Sequence, residues 1–274
     1  MDKNITIFSQ RKLTLLQIIC FYVKATLLML LLLIISSATR LVLFLLKPLS
    51  KTTLKYKRFM FSRMTTGMLF LFKVRLKVTG KIPKPPYILM SNHISYLDIV
   101  VIASLTGTPF VAKREVRDWP IIGWIAELYG GLFINREKRS DVMRFPELLA
   151  NRINKGGSIA IFPEGTSTNG QEVLPFYSSL FQWPAKNEFP IHTCSISYRT
   201  GNPEKTPASQ FVCWWGDMDF MPHYRALLNL HRIHATIHFS EKAISSSCRK
   251  ELAKKTHQEV VAHFIQSERA EKKS

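Results

Sequence analysis

Acidic residues are almost missing from the first third of this chain. Between Met1 and Leu97 the only acid is Asp2, against 16 lysines and arginines. From Asp98 onward the balance is 22 basic to 18 acidic, so most of the net charge of +19 belongs to the first 97 residues. Charge placed this way calls for an anionic surface, either a membrane or a nucleic acid. Cysteine is scarce too. Cys20, Cys194, Cys213 and Cys248 form no close-spaced pair, which excludes a CxxC zinc or redox motif and suits a reducing compartment. No serine or cysteine stands in a GxSxG pattern, so an acyl-enzyme on a nucleophile elbow is not indicated. Internal repeats and long low-complexity tracts are absent. With 274 residues, 46% of them hydrophobic and 21% charged, the chain has material for one core domain plus an appendage.

The company the charges keep chooses between the two surfaces. From Thr14 to Leu46 the chain is apolar, with only Lys24 and Arg40 charged, and Ala25 to Thr39 is an uncharged run of 15. That run is shorter than the ~18–20 residues of a clean span. Lys24 can snorkel, however, and the residues before it are also apolar. Two arrangements fit: one tilted span over about Leu13–Thr39, or a helical pair lying in one leaflet. A cleaved signal peptide fits poorly with so long a preceding segment. Lys47, Lys51, Lys55, Lys57, Arg58 and Arg63 follow the run. By the positive-inside rule they keep the C-terminal body cytoplasmic, and they attract anionic headgroups. No basic–aromatic recognition module accompanies the charge, so the expected partner is membrane lipid and not nucleic acid. The expected organisation is a basic, hydrophobic membrane-anchoring helical segment over residues 1–62, an α/β domain over 63–268 and a frayed tail over 269–274.

The body alternates strand-like and helix-like stretches, which predicts an α/β fold, a mixed central sheet flanked by helices. "PYILMSN" reads as a buried strand, "SYLDIVVIASLTG" as a helix ended by Gly107, and "WPIIGWIAELYGG" as a helix with Pro120 in its first turn. "TPFVAK", "LFINR", "SIAIFP", "IHTCSISYR", "QFVCWWG" and "HATIHFS" read as strands, and Ser246 to Arg269 as a final helix. Cys194 and Cys213 fall in apolar runs and read as buried thiols.

Three strand-end loops carry polar residues that a core does not need. They are "SNHISYLD", "LFINREKR" and "IFPEGTSTNG". In α/β sheets such loops bind ligands. His93 can act as a general base, and a carboxylate on its other ring nitrogen would fix the tautomer and stabilise the imidazolium. The five-residue spacing to Asp98 works if His93 lies in the loop and Asp98 in the first helical turn. "SYLD" is equally a capping-box sequence, with Ser95 as N-cap and Asp98 merely complementing the helix dipole. Arg136 can clamp a phosphate or be a solvated loop cation. Glu164 can accept hydroxyl hydrogen bonds, and Gly165 permits close backbone approach; the same residues suit a simple turn.

The three blocks "NHISYLD", "GGLFINR" and "FPEGTS", in this order behind a basic apolar N-terminus, resemble the glycerolipid acyltransferase family of the lysophosphatidate acyltransferase type. The resemblance implies that His93 is the general base and Asp98 its partner. It further implies that Asn92, Arg136, Glu164, Gly165 and Thr166 bind the substrate, with no metal or bound cofactor. The implied reaction transfers an acyl group from acyl-CoA or acyl carrier protein to the hydroxyl of 1-acyl-sn-glycerol-3-phosphate, forming phosphatidate, at a membrane. The expected place is the cytoplasmic face of a bacterial inner membrane. Two departures concern the acceptor. Ser167 stands where the family usually has Arg, and "PIHTCSISY" lacks the usual proline within its strand. The run around "FPEGTS" also resembles the lyso-ornithine lipid acyltransferase branch, which makes such a lyso-lipid the alternative acceptor. A non-catalytic membrane lipid-binding protein is the alternative of another class.

Overall fold

The computed structural model describes residues 14–45, 50–135 and 138–268. Helix α1 (Leu15–Leu45) takes the apolar run as one continuous helix of 31 residues, about 46 Å long at 1.5 Å per residue. Among the described residues it is the one helix long and apolar enough to cross a membrane. Helix α2 (Ser50–Leu71) runs back antiparallel to it, with Ser36 Oγ against Met64 Sδ and Gly67 facing Leu31. Any Cβ at Gly67 would stand 2.9 Å from the Leu31 side chain.

The hairpin does not stand apart from the body. Phe61, Met64, Leu69 and Phe72 share a core cluster with Leu97, Val101 and Ile102. The boundary expected between residues 62 and 63 therefore falls inside α2, and anchor and domain are joined by continuous helix. Helix α1 also docks along its length. Its buried residues are Phe21, Leu28, Leu32, Ser36 and Thr39. Lys24, the cation inside the apolar run, donates its Nζ hydrogen bond to the Leu228 carbonyl, a helix C-terminal acceptor where positive charge is favoured.

Seven strands follow: β1 (Val74–Gly80), β2 (Ile88–Ser91), β3 (Val111–Lys113), β4 (Leu132–Ile134), β5 (Ile159–Ile161), β6 (Ile191–Thr200) and β7 (Ile233–Phe239). The main sheet has the order β1-β7-β6-β2-β5. It is mixed, because β6 and β7 are antiparallel while the other pairs are parallel. A parallel β3–β4 pair joins it through a bridge from Phe110 to Ala160. The helices between and after the strands are α3 (Leu97–Thr106), α4 (Ile122–Tyr129), α5 (Arg139–Asn154), α6 (Gln182–Lys186), α7 (Ala208–Phe211), α8 (Phe220–Leu228) and α9 (Arg249–Ala262).

Strand alternation splits the core in two. In β2, Leu89 faces the cluster under α1–α3, while Ile88 and Met90 face the cluster that holds Leu149 of α5 and Leu252 of α9. All three are 0% exposed, and a side chain removed this fully from water contributes about 1.5–3 kcal/mol. Helix α3 ends where expected, at Gly107, whose φ of 64° suits glycine. A Cβ there would also meet the Arg58 carbonyl oxygen at 2.2 Å.

Two expectations need correction, and one strand was not among them. "QFVCWWG" is not a strand. Residues 208–211 form the short helix α7, and Cys213 N returns to Ala208 O instead of pairing in a ladder. The final helix spans only Arg249–Ala262, because the next residues bind the sheet face: Ser195 Oγ donates to His263 O and Ile265 N donates to Ser197 Oγ. Strand β1 was not anticipated. Its Val-Arg-Leu-Lys-Val pattern alternates apolar with basic residues along a largely exposed sheet edge. The tail over 269–274 lies outside the described residues. Cys194 and Cys213 are buried as expected, and burial pushes both thiols up to about 12.

Candidate active site

Strands β2 and β5 are parallel neighbours, so the loops leaving their C-terminal ends emerge side by side. The β2 loop carries His93 and leads into α3, whose first turn holds Asp98. His93 Nδ1 lies 2.8 Å from Asp98 Oδ2. A carboxylate can only accept, so Nδ1 carries the proton and Nε2 is the nitrogen left for a substrate. The His93 side chain is 20% exposed and the Asp98 side chain 0%. The imidazole thus meets the surface while its orienting group is sealed beneath it.

Asp98 is held by more than the histidine. Its Oδ2 also accepts Ile94 N at 2.8 Å and Ser95 N at 2.9 Å, and its Oδ1 accepts the Tyr198 hydroxyl at 2.8 Å. The bond from Ser95 N is the return half of the expected capping box, but the forward half is missing: Asp98 N donates to Ser95 O, and Tyr96 holds the N-cap position. Ser95 Oγ accepts Leu97 N and donates to Val212 O. Capping and histidine orientation are therefore one arrangement. The cap folds the chain back, and the folding brings the carboxylate to the ring.

The ring itself lies flat on Phe162, with centroids 4.1 Å apart and planes at 12°, and Phe162 stacks in turn on Phe110. The loop backbone is fixed from three sides. Asn92 Nδ2 donates to Ile196 O, and Ile196 N donates to Asn92 Oδ1. Thr168 N donates to His93 O, and Trp214 N donates to Ile94 O. Glu164 Oε1 accepts His93 N at 2.6 Å, while its Oε2 accepts Leu174 N at 2.7 Å. Glu164 is 2% exposed. Burial pushes its carboxyl up to about 8, against the two backbone donors, which favour the charged form.

The expected binding residues therefore separate. Asn92 is fully buried with both amide atoms on Ile196, and Glu164 has both oxygens on backbone N–H groups. Both hold the loop that carries His93. Each is a polar group at a strand end whose burial demands internal partners, and the backbone of the catalytic loop supplies them. Gly165, with φ 77°, turns the β5 loop outward, and Thr166 is exposed at its tip. Arg136 lies outside the described residues. Ser167, where a cation was expected from the family pattern, points its hydroxyl at Trp214 O. Tyr198 and Phe162 are the site residues that the sequence reading did not single out. A signal existed for Tyr198: a tyrosine on a buried strand needs a partner for its hydroxyl.

A histidine oriented by a buried carboxylate, open at Nε2, with no serine or cysteine bonded to it among the described residues, can activate a hydroxyl for direct attack on an acyl carbon. Comparison with known proteins points to acyl transfer. The Acyltransferase family model matches residues 74–197. The lyso-ornithine lipid O-acyltransferase of Brucella abortus is 32% identical, over 72% of this chain and 78% of that protein. The enzyme of the same name from Pseudomonas aeruginosa is 35% identical, over 69% and 71%. In fold, the chain matches the crystal structure of the 1-acyl-sn-glycerophosphate acyltransferase of Thermotoga maritima with a TM-score of 0.63 at 24% identity, covering 91% of this chain and 94% of that one. The chain belongs to the glycerolipid acyltransferase family. It is an acyltransferase enzyme acting in lipid metabolism.

Proposed function

We propose that this enzyme acylates a lyso-lipid hydroxyl from a thioester donor, acyl-CoA or acyl carrier protein, with His93 as general base. His93 Nε2 takes the hydroxyl proton as the oxygen attacks the thioester carbonyl. The tetrahedral adduct collapses, the C–S bond breaks, and the leaving sulfur takes the proton back from the imidazolium. Asp98 holds the ring and balances its positive charge in the transition state. The observation that carries the reading is the 2.8 Å contact between His93 Nδ1 and a fully buried Asp98.

For the acceptor, lyso-ornithine lipid is favoured over lysophosphatidate. Ser167 offers a hydroxyl already bonded to Trp214 O where a phosphate would call for a cation. The two relatives of that name support the same choice. The test is an acceptor panel of lyso-ornithine lipid, lysophosphatidate and lysophosphatidylglycerol, each with both donors. Transfer to lyso-ornithine lipid should lead by about tenfold. A lead for lysophosphatidate would reverse the assignment, and transfer to none would reject the reaction.

The enzyme works at a membrane in this reading, with the α1–α2 hairpin as an in-plane anchor on the cytoplasmic face of a bacterial inner membrane. From Phe21 to Thr39, a rise of about 27 Å, one face of α1 is docked on the body. That is nearly the ~30 Å thickness of the hydrocarbon core. Docking over that length favours a helix lying along the membrane surface over one that crosses it. Its other face exposes Leu16, Tyr22, Ile34 and Phe44, which suits burial in one leaflet.

A further inference from the structure

A cavity of about 230 Å³ opens between the first turns of α1, helix α8 and the polar loop that follows β6. Two cations line it, Lys205 and Arg225, with the His231 imidazole beside them, and no acidic residue does. All three are exposed at its rim, and among the described residues none is in an ion pair. Its floor is apolar, formed by Phe211 and Leu230. A cationic mouth over an apolar floor matches an anion carried on a hydrophobic body.

The site is separate from the catalytic one. Helix α8 gives two different faces to two neighbours. Phe220 and His223 meet Tyr96, beside the histidine loop, with the Tyr96 hydroxyl 3.0 Å from His223 Nδ1. Pro222, Arg225, Ala226 and Asn229, spaced as the opposite face, meet the cavity. On α1, Gln17 lines the cavity while its neighbours Leu15, Leu16, Ile18 and Ile19 are exposed. An anionic group held in the cavity therefore has the apolar face of α1 beside it.

We propose that this cavity binds the phosphate of an anionic membrane phospholipid, apart from the acyl acceptor, and so fixes the α8 end of the enzyme at headgroup level. The proposal rests on the membrane reading of α1. Free phosphate shares the charge but has no chains to lay along the helix.

The test is flotation of the full-length protein with phosphatidylcholine vesicles, with or without phosphatidylglycerol. Phosphatidylglycerol should raise the wild-type partition. The Lys205→Gln/Arg225→Gln double variant should lose about tenfold of that gain. Ala226→Leu narrows the cavity without changing charge and should lose a similar share, its folding checked by thermal unfolding. Arg40→Gln/Lys55→Gln removes two exposed charges from the hairpin and should lose about threefold or less. Equal losses from the two charge pairs, or a full response in Ala226→Leu, overturn the site. Abolition of the wild-type response by inorganic phosphate at constant ionic strength assigns the cavity to free phosphate and overturns the lipid. In detergent micelles all variants should keep wild-type acyl transfer; a loss there makes the cavity part of the acceptor site. A wild type that floats equally on both vesicles keeps the membrane reading and removes this site, whereas one that floats on neither rejects both.

Discussion

The loops after β2 and β5 leave neighbouring parallel strands, and each buries a carboxylate, yet the two carboxylates do different work. Asp98 accepts two backbone N–H groups, a tyrosine hydroxyl and an imidazole nitrogen. Glu164 accepts only backbone N–H groups, one of them that of His93. In the proposed mechanism the first carboxylate touches the group that exchanges protons, so it bears on rate. The second touches only the chain that carries this group, so it bears on shape. Both occur in motifs that the family resemblance would assign to chemistry, and only the list of partners separates them.

The contrast can be tested from its strongest point downward. His93→Ala should lower kcat by about 10³-fold with the thermal midpoint nearly unchanged, because the ring is a partly exposed lid on Phe162. Full activity in that variant would falsify the mechanism. Asp98→Asn should lower kcat by about 10²-fold and also cost about 1–3 kcal/mol of stability, since a neutral amide oxygen replaces a charged acceptor for three N–H donors and its NH2 turns toward the Tyr198 hydroxyl. A loss of stability alone would leave only the cap. Tyr198→Phe removes one neutral donor from Asp98. We expect a rate loss of roughly three- to tenfold and about 1 kcal/mol of stability, measured by steady-state kinetics and denaturant unfolding.

Glu164→Gln should act chiefly on stability and on its pH dependence. The Glu164 carboxyl, at about 8 in the folded protein, lies above its ordinary 4.5. Between those values the unfolded chain has released a proton that the folded chain keeps. Stability therefore falls as pH rises through that window, and the contribution is flat above about 8. His223, buried and pushed down to about 4, works in the opposite sense below its ordinary 6.5, where falling pH protonates the unfolded chain first. Comparing wild type with Glu164→Gln across pH 5–8 isolates the first slope, which the variant should lack. A kcat drop as large as that of Asp98→Asn, at unchanged stability, would erase the distinction between the two loops.

Much of this was legible beforehand. Strands β2, β5, β6 and β7 announce themselves as apolar runs with turn signals at their ends, and His93 with Asp98 is offered by spacing and chemical type, with only the family resemblance choosing the pair over a helix cap. What was hidden depended on partners far along the chain. Tyr198 reaches Asp98 across 100 residues, and Asn92 reaches Ile196 across 104. Local pattern holds no record of such pairs. The same blindness made "QFVCWWG" look like a strand. Its aromatic and β-branched composition fits a pleated surface, but its backbone is used to hold Ile94 and Ser95 instead.

Lys24 shows where sequence stops. The order of motifs, the family and the apolar character of the first helix were set by residue type alone, because periodicity and side-chain chemistry are local properties. Whether that helix leaves the body or lies along it was not. A lysine in an apolar run reads equally as a snorkelling flank or as an anchored cation. Only the folded chain, which brings the free carbonyl of Leu228 to its amine, decides for the second, because a hydrogen bond between residues 204 apart exists only once the tertiary structure has closed the distance.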